Sequence, residues 1–299
     1  MNECSTLEIT TTIGCSLMCT VCPQDKLLNV YKNEPKYLTY SNFVEILDKI
    51  PKSVRIDFSG MSEAWLNKEC TKMLIYTLKS GFDVAIYSTL YGMEVQDVDS
   101  IFELIHIYTS QIKVFCVHLP DASNNMRGWK NSENYKYALT RFLSLSDDIK
   151  KSIRFETMTM DMNDKIHSDL SEFKIELTNK NWIGHTRGEN LTINSKNLSQ
   201  LGIRPKISSS VECQPSCVTK DGKPTYSLYD HNILIPNGNV LLCCVDYNSD
   251  FILGNLLKQS YSEIRNSNII NKLKKLNSSN EYIQSHICKN CVNALSNNP

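Results

Sequence analysis

The feature that most restricts the fold is a regular alternation of strand and helix patterns over the first 190 residues. Short β-branched and apolar runs predict strands, and longer runs with apolar residues three or four positions apart predict helices. The predicted strands cover residues 7–14, 54–58, 84–88, 112–117, 153–160 and 182–184. The predicted helices cover residues 40–50, 66–79, 96–109, 132–146 and 165–176. Six alternations favour an α/β fold of parallel βαβ units, too few for a closed eight-fold barrel.

The pattern changes in the last third of the chain. Residues 190–212 are rich in Asn, Ser, Leu and Lys and are interpreted as a connector. Two apolar runs around a Pro-Asn-Gly turn predict a β-hairpin over residues 232–243, and a helix is predicted over residues 261–276. We therefore expect two domains, covering residues 1–190 and 191–299.

Composition argues against several classes of partner. The chain has 299 residues, with 32 Lys and Arg against 32 Asp and Glu, so its net charge is zero. A neutral chain offers no electrostatic reason to bind nucleic acid or an anionic membrane. The sequence begins without a signal-peptide pattern, and no apolar run approaches the roughly 20 residues of a membrane-spanning helix. A cytoplasmic protein with no nucleic-acid or membrane partner is expected.

Twelve cysteines occur in the chain, and most of them are clustered. A disulfide framework is the alternative explanation, but no secretion signal is seen and a chain of this length does not need such cross-links. Clustered thiols in an intracellular chain favour metal or iron–sulfur ligation. Cys70 and Cys116 stand apart in apolar surroundings that indicate core packing.

The first cysteine group follows the first predicted strand directly. Cys15, Cys19 and Cys22 have the spacing C-x3-C-x2-C, and no fourth cysteine follows before Cys70. Three thiolates satisfy only three irons of a [4Fe-4S] cluster, which leaves one iron open to a small ligand. Three incidental core cysteines are the alternative reading.

This motif and its position resemble the radical S-adenosylmethionine (radical SAM) enzymes, which have an open, partial (β/α)6 barrel. The resemblance implies that SAM binds the open iron and is cleaved to a 5′-deoxyadenosyl radical, which abstracts hydrogen from substrate. It also implies an electron donor such as flavodoxin or ferredoxin. Val21 departs from the family, in which the residue before the third cysteine is usually aromatic and adenine packs there.

The C-terminal cysteines resemble the SPASM and shorter twitch extensions of radical SAM enzymes, which bind auxiliary [4Fe-4S] clusters. Cys243 follows the predicted hairpin, and Cys288 and Cys291 form a late C-x2-C pair. The resemblance implies a single auxiliary cluster whose fourth ligand is Cys213 or Cys217, with Cys217 favoured because it lies nearer the hairpin. A Cys4 zinc site is the alternative, since C-x2-C pairs also bind zinc.

Several further residues are candidates for the site. By resemblance, Gly60 and Glu63 correspond to the family's SAM-amine motif, and Ser88 and Thr89 to its ribose-binding hydroxyls. The structural alternatives are that Glu63 is a solvated carboxylate at the start of a helix and that Ser88 and Thr89 are turn residues at the end of a strand. His118 ends a predicted strand, where barrel active sites form, and is a candidate for a substrate or SAM role. Arg187 lies in a segment that resembles one of carbohydrate-modifying members and is a catalytic candidate that could bind the SAM carboxylate or a substrate oxygen; a surface arginine is the alternative. Tyr91, Glu156 and Asp246 are weaker pocket candidates.

Members with this layout include an aminocyclitol dehydrogenase, sulfatase-maturing enzymes and peptide-modifying enzymes. We therefore expect an oxidoreductase that abstracts hydrogen from a polyol, sugar or aminocyclitol, with dehydrogenation or epimerisation as the outcome. In a dehydrogenation, the auxiliary cluster would accept the second electron. Modification of a peptide or protein side chain, and a non-enzymatic zinc or redox-sensing module, are the alternatives. The sequence leaves the substrate and the oligomeric state open.

Overall fold

The computed structural model describes residues 5–20, 22–157, 165–178, 229–278 and 288, and the backbone of four short strand segments. These segments are β6 (Val211–Cys213), β7 (Cys217–Val218), β8 (Pro224–Thr225) and β12 (Ala294–Ser296). The strands of the main sheet are β1 (Thr6–Ile9), β2 (Arg55–Phe58), β3 (Val84–Ser88), β4 (Ile112–Leu119), β5 (Ile153–Thr157), β9 (His231–Leu234), β10 (Asn239–Leu241) and β11 (Ile252–Asn255).

These eight strands form one sheet in the order β11-β10-β9-β1-β2-β3-β4-β5. Strands β9, β1, β2, β3, β4 and β5 run parallel, and β10 and β11 continue the sheet in antiparallel fashion. The predicted α/β class and partial barrel are confirmed. The predicted hairpin is also present, but its first strand lies beside β1, so one sheet includes residues from both sides of the expected boundary near residue 190. The strand predicted over 182–184 lies outside the described residues.

Helices connect the strands. They are α1 (Gln24–Val30), α2 (Tyr40–Leu47), α3 (Cys70–Lys79), α4 (Val95–Ile107), α5 (Glu133–Leu143), α6 (Asp147–Lys150), α7 (Tyr261–Arg265) and α8 (Asn268–Ser278). Four of the predicted helices correspond to α2, α3, α4 and α5 with shifted ends, and the helix predicted over 261–276 is divided into α7 and α8. In the part of the chain that the structure describes, no helix has both the length and the apolar character needed to cross a membrane.

The helix predicted over residues 165–176 is wrong. This segment has only a 3-10 turn at Ser168–Leu170, and the residues that follow are not helical. Its apolar residues Phe173, Ile175 and Leu177 alternate with polar ones and pack against the core. Phe155 of β5 exchanges two hydrogen bonds with Thr178. The Thr178 backbone N–H donates to the Phe155 carbonyl, and the Phe155 N–H donates to the Thr178 hydroxyl. A period of two is the pattern of an extended chain.

The outer face of the parallel strands forms the core with the helices. Its residues are apolar and almost fully buried: Leu7, Ile9, Ile56, Phe58, Val84, Ile86, Phe115, Val117, Ile153 and Phe155. They pack against helix residues such as Phe43, Leu74, Ile101 and Phe142 in one hydrophobic cluster. Because successive side chains of a strand point to opposite faces, the remaining residues of each strand face the barrel interior.

Candidate active site

The three N-terminal cysteines line one pocket at the carboxyl ends of β1, β2, β3 and β4. This is the edge of a parallel sheet at which barrel and open α/β proteins place their sites. The lining brings together Cys15, Leu17, Cys19, Cys22, Ser59, Gly60, Met61, Ser62, Glu63, Tyr87, Thr89 and His118. The sequence-predicted Gly60, Glu63, Thr89 and His118 therefore lie around the same pocket as the three thiols.

The cysteine loop is held by the loop that follows β4. Thr20 donates a backbone hydrogen bond to the Asn125 carbonyl at 2.9 Å and a hydroxyl hydrogen bond to its side chain at 2.6 Å. The Gly128 N–H donates to the Leu17 carbonyl, and a Cβ atom at Gly128 would lie 1.9 Å from the Ser16 carbonyl oxygen. Only glycine allows this approach, so Gly128 is a supporting residue that the sequence analysis missed.

The environment of the cysteine sulfurs suits iron ligation. Cys15 Sγ accepts backbone hydrogen bonds from Leu17 and Glu63, although burial raises the pKa of its thiol. Gln24 Nε2 lies 3.5 Å from Cys22 Sγ, and the Tyr247 hydroxyl lies 3.8 Å from the same sulfur. Donors around thiolates are a general feature of iron–sulfur sites, where they set the reduction potential.

Another sign of a binding site is a buried polar atom in the lining. Ser59 Oγ has no hydrogen-bond partner among the described residues. Buried hydroxyls are nearly always hydrogen-bonded in folded proteins, so this atom fits a site that receives a polar ligand. The three thiols together with this hydroxyl fit an iron–sulfur cluster with a small polar ligand beside it.

Glu63 is buried and is already surrounded by donors. Its Oε1 accepts from Ser88 Oγ at 2.8 Å and from the Trp65 N–H at 3.4 Å. Its Oε2 accepts from the Thr89 N–H at 2.7 Å and from Thr89 Oγ1 at 2.6 Å. Burial raises the pKa of Glu63, while these hydrogen bonds act in the opposite direction. A carboxylate has about four acceptor positions, and these four hydrogen bonds occupy them. They tie the loop after β2 to the end of β3.

The backbone conformation and the close packing of the loop after β2 require glycine at position 60. Its φ of +85° is rare for other residues, and a Cβ atom there would lie 2.3 Å from Thr10 Oγ1. The neighbouring Met61 N–H donates to that same hydroxyl at 3.1 Å. The loop after β2 therefore presses against the end of β1, next to the cysteine loop.

The inner face of the sheet, in contrast to the outer face, is polar. Near its amino ends, Glu8 bonds to His231 and Arg55 makes a bidentate ion pair with Asp57 at 2.7 and 2.8 Å. Nearer the pocket, adjacent positions on β3, β4 and β5 carry Tyr87, Cys116, His118, Arg154 and Glu156. The Tyr87 and His118 rings lie 6.3 Å apart, and Cys116 is hydrogen-bonded to Glu156. Tyr87 and Cys116 were not among the sequence-predicted site residues, although the alternation of side chains along β3 and β4 indicates that both face inward.

The C-terminal cysteines are described in part. Cys243 follows β10 and packs against the main hydrophobic cluster, of which the buried Cys288 is a member. The β6–β12 ladder pairs Cys213 with Ala294, three residues beyond Cys291, whereas Cys217 pairs with Thr225. The backbone register thus places position 213 beside Ala294, in the segment that follows the C-x2-C pair in sequence. Val21, Arg187 and Cys291 themselves lie outside the described residues.

The remaining candidates are not in the pocket lining that the structure describes. Ser88 lies behind Thr89 and donates to Glu63. Tyr91, two residues after Thr89, donates its backbone N–H to Thr89 Oγ1 at 3.4 Å. Asp246 is buried and accepts the backbone N–H groups of Asp250 and Phe251, which closes the turn after Cys243. Burial raises its pKa to about 6.

Comparison with known proteins agrees with the fold and with the cysteine-containing C-terminal segment described above. Residues 227–292 match the SPASM family, an iron–sulfur cluster-binding domain. BtrN in complex with AdoMet and 2-DOIA superposes with a TM-score of 0.56 at 16% identity, over 98% of this chain and 93% of that chain. Native anSMEcpe with bound AdoMet and the Cp18Cys peptide gives 0.54 at 13% identity, over 96% and 86%. No curated protein sequence matches the chain.

The fold and the matched domain define a class: α/β partial-barrel proteins with a C-terminal iron–sulfur domain. Within that class the chain shares its fold with BtrN and anSMEcpe, both of which were solved with AdoMet bound, and its residues 227–292 match the SPASM domain, as the resemblance of its C-terminal cysteines predicted.

Proposed function

We propose that this protein is a radical SAM oxidoreductase that removes hydrogen from a small, polar, hydroxyl-bearing substrate such as a sugar or aminocyclitol. The observation that carries the proposal is the pocket in which Cys15, Cys19 and Cys22 face Tyr87 and His118 at the carboxyl ends of parallel strands. The alternative of a non-enzymatic zinc module offers no reason for this second set of side chains opposite the thiols.

Two groups of cysteines would hold the cofactors. Cys15, Cys19 and Cys22 would bind a [4Fe-4S] cluster with SAM beside it, and Cys243, Cys288, Cys291 and Cys213 would bind an auxiliary cluster. When bound, the first cluster and SAM supply a hydrogen-abstracting 5′-deoxyadenosyl radical, and the second cluster supplies an electron acceptor. The register of β6 supports Cys213 over Cys217 as the fourth ligand.

The pocket residues divide the remaining work. Ser59 Oγ and Thr89 line the pocket and are proposed to bind polar groups of SAM, and Gly60 allows the loop to approach it. Glu63 is proposed to position Thr89 through two hydrogen bonds. Val21, next to Cys22, remains a proposed contact for the adenine.

The polar inner face supports a small polar substrate. Oxidation of an alcohol to a ketone removes one hydrogen atom from carbon, then one electron, and one proton from oxygen. His118 lines the pocket, and a neutral imidazole there can accept that proton. Arg187 remains a proposed ligand of a substrate or SAM oxygen. The fold is shared with BtrN, whose complex contains 2-DOIA.

A peptide or protein side chain is the second candidate substrate. It is favoured by one observation, the similar fold of anSMEcpe with a bound peptide. The two candidates differ in what the pocket must admit, so direct product analysis separates them.

The test is anaerobic reconstitution followed by product analysis. Two clusters require about eight irons per chain, and Cys19→Ser should retain about half of them. With SAM and a reductant, the intact protein should release 5′-deoxyadenosine and convert a polyol or aminocyclitol to a ketone or epimer. Release of 5′-deoxyadenosine with modification of peptides alone would transfer the proposal to the second candidate. Binding of one or two zinc ions instead of iron would overturn both.

A further inference from the structure

Three potential metal ligands meet on the inner face of the sheet, beyond the cysteine loop. His118 of β4 and Glu156 of β5 are direct partners in the parallel register, and Cys116 lies two residues before His118 on the same face. One ligand atom from each of the three side chains lies within 4.8 Å of the other two. The exposed fractions of Cys116, His118 and Glu156 are 1%, 9% and 6%.

The chemistry of this group is that of a transition-metal site. A thiolate, an imidazole and a carboxylate are ligands that zinc accepts, at about 2.0–2.3 Å from the ion. Ligand atoms around such an ion lie about 3.5 Å apart, so the three side chains need to move by only about an ångström. Two anionic ligands and one neutral ligand also balance the charge of a divalent ion, which makes the group neutral as a whole in a buried position.

We propose that Cys116, His118 and Glu156 form a binding site for a divalent transition-metal ion such as Zn²⁺. Three protein ligands leave a fourth position open, as in zinc sites that bind water or substrate. His118 also lines the cysteine pocket, so the open position is adjacent to it. A bound ion would take the lone pair of the His118 imidazole, so the metal site and the proton-accepting role proposed above for His118 are alternatives; binding of a substrate hydroxyl at the fourth position rests on the proposed function.

The competing explanation is a purely structural hydrogen bond. Cys116 is hydrogen-bonded to Glu156, and this contact alone would satisfy both groups. That explanation predicts no metal affinity. The two explanations are therefore separated by metal content and by the identity of the ligands.

The experiment uses the full chain with both clusters reconstituted, without SAM or substrate. The protein is dialysed against Zn²⁺, and zinc and iron are counted by elemental analysis. We expect the wild type to bind one zinc more than Cys116→Ser and Glu156→Gln, at unchanged iron content, and the affinity of each variant to fall at least tenfold. X-ray absorption at the zinc edge should show one sulfur and two or three nitrogen or oxygen ligands.

Cys70→Ala is the matched control, because Cys70 is also buried but lies on α3 outside the group. It should retain the extra zinc. If Cys116→Ser does not fold, Glu156→Gln and His118→Gln give the same comparison. Equal zinc content in the wild type and in the ligand variants, or a zinc shell made only of sulfur, would overturn the proposal. These measurements need no turnover, so their failure is distinct from a failure to find the oxidised product.

Discussion

The two faces of the parallel sheet differ in almost every respect, although the same six strands form both. On the outer face of β4, Phe115 and Val117 are fully buried among helices, and Phe115 contacts Phe142 edge to face at 4.8 Å. On the inner face of the same strand, Cys116 and His118 meet a carboxylate of β5. Alternate residues of one strand thus supply stability on one side and chemistry on the other.

This division has an energetic basis. Apolar side chains gain free energy by burial, roughly 25 cal/mol per Å², and the helices cover the outer face completely. Polar side chains lose hydration on burial unless they find partners. The inner face solves this by pairing, as in Arg55 with Asp57 and Glu8 with His231. Substitutions on the two faces should therefore have different consequences.

The largest effect is expected from a cysteine of the N-terminal loop. Cys22→Ala should remove about four irons per chain and reduce 5′-deoxyadenosine formation by at least a thousandfold, with little change in the thermal stability of the cluster-free protein. Cys22 is partly buried and packs against a small separate cluster that includes Leu27 and Tyr247; among the described residues it is not part of the outer-face core, which explains the separation. Iron analysis, chromatography and thermal unfolding measure the three quantities. Retention of SAM cleavage would contradict the assignment of the site.

The next largest effect is expected on the outer face, where a substitution should reduce stability and leave iron content unchanged. Phe115→Ala should reduce the free energy of unfolding by about 3–5 kcal/mol, because it leaves a cavity between β4 and α5. Where the variant still folds, iron content per folded chain should not change. Denaturant unfolding measures the loss, and Lys113→Ala on an exposed position of β4 is the control. A loss below about 1 kcal/mol would show that the outer face does not determine stability.

A pH-dependent effect is expected for the Glu8–His231 pair, which joins β1 to β9. Burial lowers the pKa of His231, but the charge and hydrogen bond of Glu8 outweigh it, so the pKa is raised above 6.5 in the folded state. The stabilisation is therefore complete below the unfolded value of about 6.5 and is lost as pH rises through the folded value.

Glu8→Gln should cost about 1–3 kcal/mol at pH 6, as for a hydrogen bond to a charged group, and less at pH 9. His231→Gln should flatten the same pH profile of unfolding. Asp83→Asn, in the exposed Lys113–Asp83 ion pair, is the control and should leave the difference between the two pH values unchanged. A cost for Glu8→Gln that increases with pH would contradict the sign of the pKa shift.

The smallest effect is expected at Tyr247. Once Cys22 is bound to iron its sulfur carries no proton, so the Tyr247 hydroxyl must be the donor of the 3.8 Å contact. Such a donor stabilises the more negative, reduced state of a cluster. Tyr247→Phe should therefore shift the reduction potential of the N-terminal cluster to a more negative value, with little loss of iron. Redox titration followed by EPR measures the shift, and Tyr261→Phe, a buried tyrosine on α7, is the control.

The sequence predicted those features that depend on neighbours in the chain. Strands β1 to β5 and the hairpin carry local patterns, and the cysteine spacing places three thiols on one loop. Contacts between distant segments have no such pattern. The pairing of β9 with β1, and the approach of Tyr247 to Cys22, join residues more than 220 positions apart. The error at 165–176 arose because short apolar runs fit both periods, and only packing against β5 decides between them.

The position of β9 has a consequence for biosynthesis. Strand β1 begins at Thr6, yet the edge of β1 opposite β2 is paired only by β9, His231–Leu234. A ribosome that has made the first 230 residues therefore displays a β1 whose backbone groups are unpaired on that side, and such edges recruit other chains. Nascent or truncated chains that lack the hairpin should aggregate, because β1, the strand that precedes the loop of Cys15, gains its second neighbour only when the last quarter of the protein is made.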